Sequence, residues 1–272
     1  MKTITYSSKS STTAKLLRDR LQVLMGERIL LSNRLRPNRE VIINYGSGDR
    51  AITCRHNSPE FVSLCCGKYT FSNLLRENGF FAPEFRTDAP SIYPAVIRET
   101  LTSYGARGMH VVRNEEEYEF LAYELGMLSN DTRLWWTPFV KTRSEFRVHV
   151  INGEPVKVSK KIFNQKDAEE SDLPIRSHLR GYYFRLIEDE KWKSWTKMTE
   201  LIHKLSTILT GSFYGLDIGF SAEKSDYFIF EANSAPGLIE QTADIYAQHL
   251  YQLIIGGEHG GIRRTEEATQ GA

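Results

Sequence analysis

Asp217, Glu231 and Asn233 are the residues whose types and spacing most directly suggest chemistry. Glu231 and Asn233 close the run DYFIFEANS, in which aromatic and β-branched residues alternate as in a buried strand before a Pro-Gly turn. Residues i and i+2 of a strand share a face, so this apolar strand ends with a carboxylate and a carboxamide aimed the same way. Asp217 lies in YGLDIGF, expected to be the antiparallel partner strand, with Leu216 and Ile218 turned to the opposite face. Three hard oxygen ligands on one sheet face suit Mg²⁺, which takes one or two carboxylates, adds phosphate oxygens and keeps its waters. Taken singly, Asp217 reads as a turn cap and the other two as the start of a loop; only the triple is specific.

Positive charge stands on the preceding hairpin. EFRVHV and PVKVSKK alternate around Asn152-Gly153, the dipeptide of a tight hairpin turn. Counting from a two-residue turn, Val150 lies opposite Pro155, Arg147 opposite Val158 and Lys160 opposite Glu145. Period two then places Glu145, Arg147 and Lys160 on one face; a bulge would shift the count by one and bring Lys161 there instead. An Arg fork and a Lys on adjacent strands can neutralise a triphosphate. A solvated cross-strand ion pair with Glu145 accounts for the same residues equally well. The loop SYGARG, with Gly105 and Gly108, runs from strand to strand, which excludes dinucleotide-fingerprint and P-loop readings. Its glycines let backbone amides approach a phosphate, though a plain hairpin turn is the simpler reading.

The elements that must position these groups follow from periodicity. KTITYS, RILLS and VIINYG read as short strands around a helix with Leu16, Leu17, Leu21, Leu24 and Met25 at helical spacing. This predicts a small α/β module over residues 1–66. A helix over 69–78 is closed by Gly79 and followed by Pro83. Two strands flank SYGARG, and Asn114 with Glu117 forms a capping box for EEEYEFLAYELGM. Residues 164–180 are polar and irregular, a candidate mobile loop, and Trp195, Met198, Leu201, Ile202, Leu205 and Leu209 mark an amphipathic helix. The glycine-rich, charged segment 257–272 reads as a disordered tail.

Taken in order, these pieces over roughly residues 67–245 resemble the ATP-grasp fold. GKYTFSNLLRENGFFAPEF resembles the family's opening segment, in which Lys68 would bind phosphate. YPAVIRETLTSYGARGMHVVRNEEEYE resembles the nucleotide-covering segment, with Arg98 as its basic residue and Gly105 and Gly108 in the flap. TPFVKTRSEFRV resembles the hinge whose backbone pairs with adenine around Pro138, Phe139 and Val140, followed by Arg147. GLDIGF and FEANSAPGL resemble the metal strands. The resemblance implies an α+β chain: a small subdomain, 67–136, and a large one, 137–256, clamping ATP between antiparallel sheets behind the N-terminal module. It further implies ATP with Mg²⁺ or Mn²⁺, and a carboxylate–amine ligase acting through an acyl phosphate. Glutamate ligases that extend ribosomal proteins or small peptides look nearest, with glutathione synthetase and D-alanine–D-alanine ligase as cousins. Arg147 and Lys160 would serve the reaction, Lys68 and Arg98 the phosphates, and Arg176 and Arg180 a substrate carboxylate. A small-molecule kinase on the same fold, or a nucleotide-binding module without chemistry, are the alternative readings. The family also leaves a homo-oligomer open.

Composition narrows the rest. At 40% apolar and 25% charged, the 272 residues are those of an ordinary globular protein. Lys+Arg 35 against Asp+Glu 34 argues against a dedicated nucleic-acid binder. No apolar run is long enough to span a membrane, MKTITYSSKSSTTAK lacks a secretory apolar core, and Cys54, Cys65 and Cys66 form no framework. A cytoplasmic protein with reduced thiols is expected. His149, on the Arg147 face, reads as a hydrogen-bonded structural imidazole.

Overall fold

Short aliphatic runs at the N-terminus suit a parallel sheet covered by helices, and they form one. The computed structural model describes residues 2–7, 11–33, 40–49, 53–102, 106–126, 134–164, 171–187 and 195–259. The strands β1 (Lys2–Tyr6), β2 (Leu30–Ser32), β3 (Glu40–Tyr45) and β4 (Cys54–His56) lie in the order β2-β1-β3-β4, all parallel. Helix α1 (Ser11–Met25) covers this sheet with Ala14, Leu17 and Leu21 at three- and four-residue spacing, all fully buried. Neither β4 nor α2 (Pro59–Cys66) is apparent from periodicity. The strand is only three residues long, while α2 begins with a Ser58 cap and Pro59.

A three-stranded antiparallel sheet follows, ordered β6-β5-β7, from β5 (Ala95–Arg98), β6 (Met109–Val112) and β7 (Trp135–Pro138). Helix α4 (Glu115–Glu124) packs on it through Ala122, and the Asn114 side chain accepts from the Glu117 amide as the capping box requires; α3 (Lys68–Glu77) instead places Phe71 and Leu75 in the core of the sheet that follows. The large sheet has the order β10-β9-β8-β11-β12 and is antiparallel throughout. Its strands are β8 (Thr142–Ile151), β9 (Glu154–Phe163), β10 (Tyr182–Leu186), β11 (Phe213–Ser221) and β12 (Asp226–Asn233). Residues Phe146, Val148, Val150, Leu216 and Ile218 line one face and pack on Met198, Ile202 and Leu205 of α5 (Trp195–Ser206). Strand β10 forms just beyond the polar stretch read as a loop, of which 165–170 lie outside the described residues.

Helix α6 (Glu240–His259) does not belong to the core of that sheet. Its Tyr246, Ala247, Leu250 and Ile254 pack with Ile4, Leu17, Leu21 and Ile43 of the N-terminal module. The helix also runs three residues into the segment read as a tail, and 260–272 lie outside the described residues. Asn57 ties the two parts together by pairing with both backbone groups of Phe213, Nδ2 to the carbonyl at 2.8 Å and Oδ1 from the amide at 3.2 Å. Among the described residues no helix is long and apolar enough to cross a membrane.

Candidate active site

The second face of the large sheet carries Glu145, Arg147, His149 and Ile151 of β8, since alternate strand residues share a side. Their surroundings change along the strand. Ile151 is in the N-terminal core, His149 lies under α6, and Glu145 and Arg147 open into a cavity of about 370 Å³ between the two antiparallel sheets.

Which lysine joins them is decided by one residue. Val150 pairs with Pro155, but His149 pairs with Lys157, so Val156 is an extra residue in β9. Pro155 has no N–H to give the ladder, which favours a bulge there. Beyond it Arg147 faces Ser159, and Lys160 faces the core residue Phe146. The assignment of Lys160 to the Arg147 face is therefore corrected to Lys161, whose ammonium lies 3.1 Å from Glu145 Oε2 and 3.6 Å from Asp217 Oδ2. Lys161→Met is expected to weaken binding of the nucleotide that the ATP-grasp resemblance implies about tenfold, the scale of a charge-assisted hydrogen bond, while Lys160→Met leaves it within about twofold; isothermal titration of both variants with ATP checks this.

Strand β11 supplies Asp217 between two glycines on the same face. A Cβ at Gly215 would sit 2.7 Å from Pro236 Cβ, and one at Gly219 would sit 2.5 Å from Thr142 Cγ2 and 2.9 Å from the Phe230 ring. The glycines thus let neighbours close around the carboxylate. Asp217 pairs with Glu231, and Gly215 with Asn233, so the three polar side chains share one face. A second bulge, at Phe230, sets Phe230 and Glu231 side by side along the cavity wall.

Charges in the cavity are paired with each other. Arg147 Nε and Nη2 donate to the two Asp217 oxygens at 2.7 and 2.9 Å, the bidentate fork. Burial alone would lift the Asp217 carboxyl, but Arg147 and Lys161 outweigh it and hold its pKa below the ordinary range. Burial likewise depresses Arg147 and Lys161, but Asp217, helped by Glu231 at Arg147 and by Glu145 at Lys161, holds both above their ordinary range. Lys68 stands 3.1 Å from Glu231 Oε2 at the start of α3. Arg98 is lowered by burial, with Glu231 acting the other way; its guanidinium lies over the Phe85 ring and donates to the Met109 sulfur at 2.8 Å. Arg176 lines the cavity and donates to Thr142 and Glu145.

Other expected residues are placed differently. Arg180 is not in the cavity wall: its Nη2 donates to the Met109 carbonyl at 2.7 Å, pinning the segment after β9 to the small sheet. Gly108, at φ +61°, closes the β5–β6 turn, its carbonyl accepting from the Glu99 amide, and among the described loop residues Ala106 faces the cavity. Gly105 lies outside the described residues. Pro138, Phe139 and Val140 line the cavity, but the Phe139 amide already donates to the Pro94 carbonyl at 2.8 Å. Phe184 of β10, 4.4 Å above the Arg147 guanidinium, was not anticipated. Its only signal is the aromatic run YYF after Gly181.

The residues present fit a divalent metal. Among the described residues no cluster of three or more His, Cys, Asp or Glu side chains is arranged for one. Asp217, Glu231 and the Asn233 carboxamide instead leave coordination positions for phosphate oxygens and water, which is what Mg²⁺ favours. Asn233 Nδ2 is buried without a hydrogen-bond partner among the described residues. A half-turn of the amide puts its oxygen in that place.

Behind the site His149 is 2% exposed, with Nδ1 3.1 Å from the Tyr246 hydroxyl. Burial first, and Arg147 second, lower its pKa from 6.5 to about 3. The unfolded chain therefore takes up a proton below pH 6.5 that the folded one refuses. His149 costs nothing above pH 6.5 and removes roughly 1.4 kcal/mol of stability per pH unit on the way down to about pH 3. Urea unfolding at pH 7 and pH 5 should show a shallower acid loss for His149→Gln than for the parent protein.

No family model matches the chain, and no curated protein matches it. Solved structures do. The ATP-grasp ligase PsnB complexed with a minimal precursor is 12% identical, with 91% of this chain and 97% of that one covered and a TM-score of 0.63. The D-alanine–D-alanine ligase from Bacillus anthracis complexed with ATP is 14% identical over 96% and 99%, TM-score 0.62. A Chryseobacterium gregarium RiPP-associated ATP-grasp ligase, in complex with ADP and a leader and core peptide, is 10% identical over 98% and 99%, TM-score 0.63.

Proposed function

This chain has the ATP-grasp fold, and we propose that it is an ATP-dependent carboxylate–amine ligase. The observation that carries the reading is the cavity wall itself, where Lys68, Arg98, Arg147 and Lys161 converge on Asp217, Glu231 and Asn233. The ligases it resembles, one acting on D-alanine and others complexed with peptides, support a small-molecule or peptide carboxylate and an amine as substrates.

In this reading the adenine lies against Val96, Phe139, Val140 and Phe228. With the Phe139 amide spent on Pro94, hinge donation to the base falls to Val140. Lys68, Arg98, Arg147 and Lys161 hold the phosphates, and Arg176 stays on Glu145 to keep that wall in place. A carboxylate oxygen of the substrate attacks the γ-phosphorus and ADP leaves, giving an acyl phosphate. The amine then attacks the carbonyl, inorganic phosphate departs, and the amine gives up its proton as the amide forms. The chain forms no covalent bond to substrate; it aligns the reactants and meets developing charge with fixed cations. Asp217, Glu231 and Asn233 would hold a divalent ion, which would supply further charge neutralisation.

The test is a screen of amino acids and short peptides, paired as acid and amine, for coupled release of ADP and phosphate. Release that depends on both members of a pair supports the ligase. ADP formation with no free phosphate, and a phosphorylated hydroxyl compound instead, would identify a kinase.

A further inference from the structure

Helix α4 buries one apolar side and holds two large rings in water on the other. Ala122 is buried with Ala95, Ile97, Val112 and Trp136 of the small sheet, and Tyr118, Leu121 and Leu125 pack around it. The alternate residues of β5, Val96 and Arg98, line the cavity, so α4 covers the sheet's opposite face. The solvent side of the helix carries Phe120 and Tyr123, 67% and 68% exposed and three residues apart, so the two rings are neighbours. Ile92, 51% exposed, borders the same patch. Its neighbour Tyr93 packs into the core that holds Tyr118, and its pKa is raised by burial first and then by Glu115, Tyr118 and Glu119.

The rest of that side is acidic. Glu116, Glu119 and Glu124 are exposed, and among the described residues none of them has an ion-pair partner. The cation just ahead of the helix, Arg113, is engaged by Glu117 and Asp172. Helix α4 contains no Lys or Arg, and Glu124 in its last turn opposes the helix macrodipole. Bare rings and an unfavourably placed carboxylate give the isolated fold no stability, which is the mark of residues kept for another purpose. From them we infer that the outer face of α4 is a docking surface for a basic amphipathic peptide segment of another protein. Its apolar side chains cover Phe120 and Tyr123, and its Lys or Arg side chains meet Glu116, Glu119 and Glu124.

Charge selects this occupant over others. A second copy meeting the face about a twofold axis would set the same unpaired glutamates against one another. An anionic membrane or a nucleic acid would be repelled by them. A basic segment neutralises the carboxylates while its apolar residues take the rings out of water, using the three- and four-residue anchor spacing of amphipathic recognition helices. Because the face lies behind the small sheet, an occupant leaves the cavity open. Docking there is independent of what the cavity binds, and it stands whether or not the ligase reading does.

The experiment uses the full-length chain and a helical peptide of leucine and lysine patterned at three- and four-residue spacing, with a leucine–glutamate counterpart, both followed by fluorescence anisotropy. The parent protein is expected to bind the basic peptide at least about tenfold more tightly than the acidic one. The double variant Phe120→Ser/Tyr123→Ser should weaken the basic peptide at least about tenfold. The triple variant Glu116→Gln/Glu119→Gln/Glu124→Gln should weaken it about fivefold in low salt, with the difference gone near about 1 M salt. Both variants change only exposed side chains, so thermal unfolding should show them folded like the parent. Affinities within about twofold across the three proteins overturn the inference, as does the absence of measurable binding to the parent. A dimer of the parent in light scattering that the double variant dissolves also overturns it, and makes the occupant a second copy.

Discussion

Replacing Glu231 with glutamine is expected to cut ATP-dependent phosphate release at least about a hundredfold while the protein stays folded. The substitution is isosteric and removes the charge that would face the proposed metal. It costs little structurally because the Glu231 side chain is one-third exposed and, among the described residues, its ion pair is to the partly exposed Lys68. Asp217→Asn should be as inactive but not as benign. It takes the bidentate partner from Arg147 in a pair whose side chains are 16% and 6% exposed, and opening such a pair costs about 3–5 kcal/mol. Phosphate release and thermal unfolding, measured on both variants, separate the two effects. Normal turnover in Glu231→Gln would remove that residue from the metal wall.

Arg147→Ala is expected to raise the Michaelis constant for ATP at least about tenfold and to lose about 3–5 kcal/mol of stability. Both follow from one geometry. The fork that would meet phosphate is the fork that compensates Asp217, and burial pushes that carboxyl up once the guanidinium is gone. Arg147→Lys keeps the charge and loses the two-point contact, so it should fall between alanine and the parent protein on both measures. An unchanged Michaelis constant in Arg147→Ala would mean that this face of β8 does not meet nucleotide. Denaturant unfolding and initial-rate kinetics on the three proteins decide the matter.

The interest of Lys161 is how narrowly it was out of reach. The hairpin was legible from Asn152-Gly153 and the alternation on either side. Its register depended on whether Pro155, opposite Val150, would be absorbed by an extra residue, and only the folded ladder shows Val156 taking that place. One residue of slip exchanges every side chain between faces, so Lys160 went to the core side and Lys161 to Glu145 and Asp217. Arg180 was unreadable for a different reason. Its partner is the backbone carbonyl of Met109, 71 residues earlier, and nothing in its own loop announces that contact. The destination of α6 and the engagement of the Phe139 amide by Pro94 belong to the same class.

The amino-acid sequence by itself determined which chemical groups are present and which of them ride on the same strand face. Asp217, between two glycines, and Glu231 with Asn233, at the end of an apolar strand, are arranged by covalent spacing and the period of two. The order of the segments likewise carried the ATP-grasp fold. Only the tertiary structure decided which cation meets which carboxylate. Those pairings join Lys68 to Glu231, Arg147 to Asp217 and Arg176 to Glu145 across strands, loops and sheets. They depend on ladder register, bulges and the docking of distant segments, free energies of packing that no local pattern encodes.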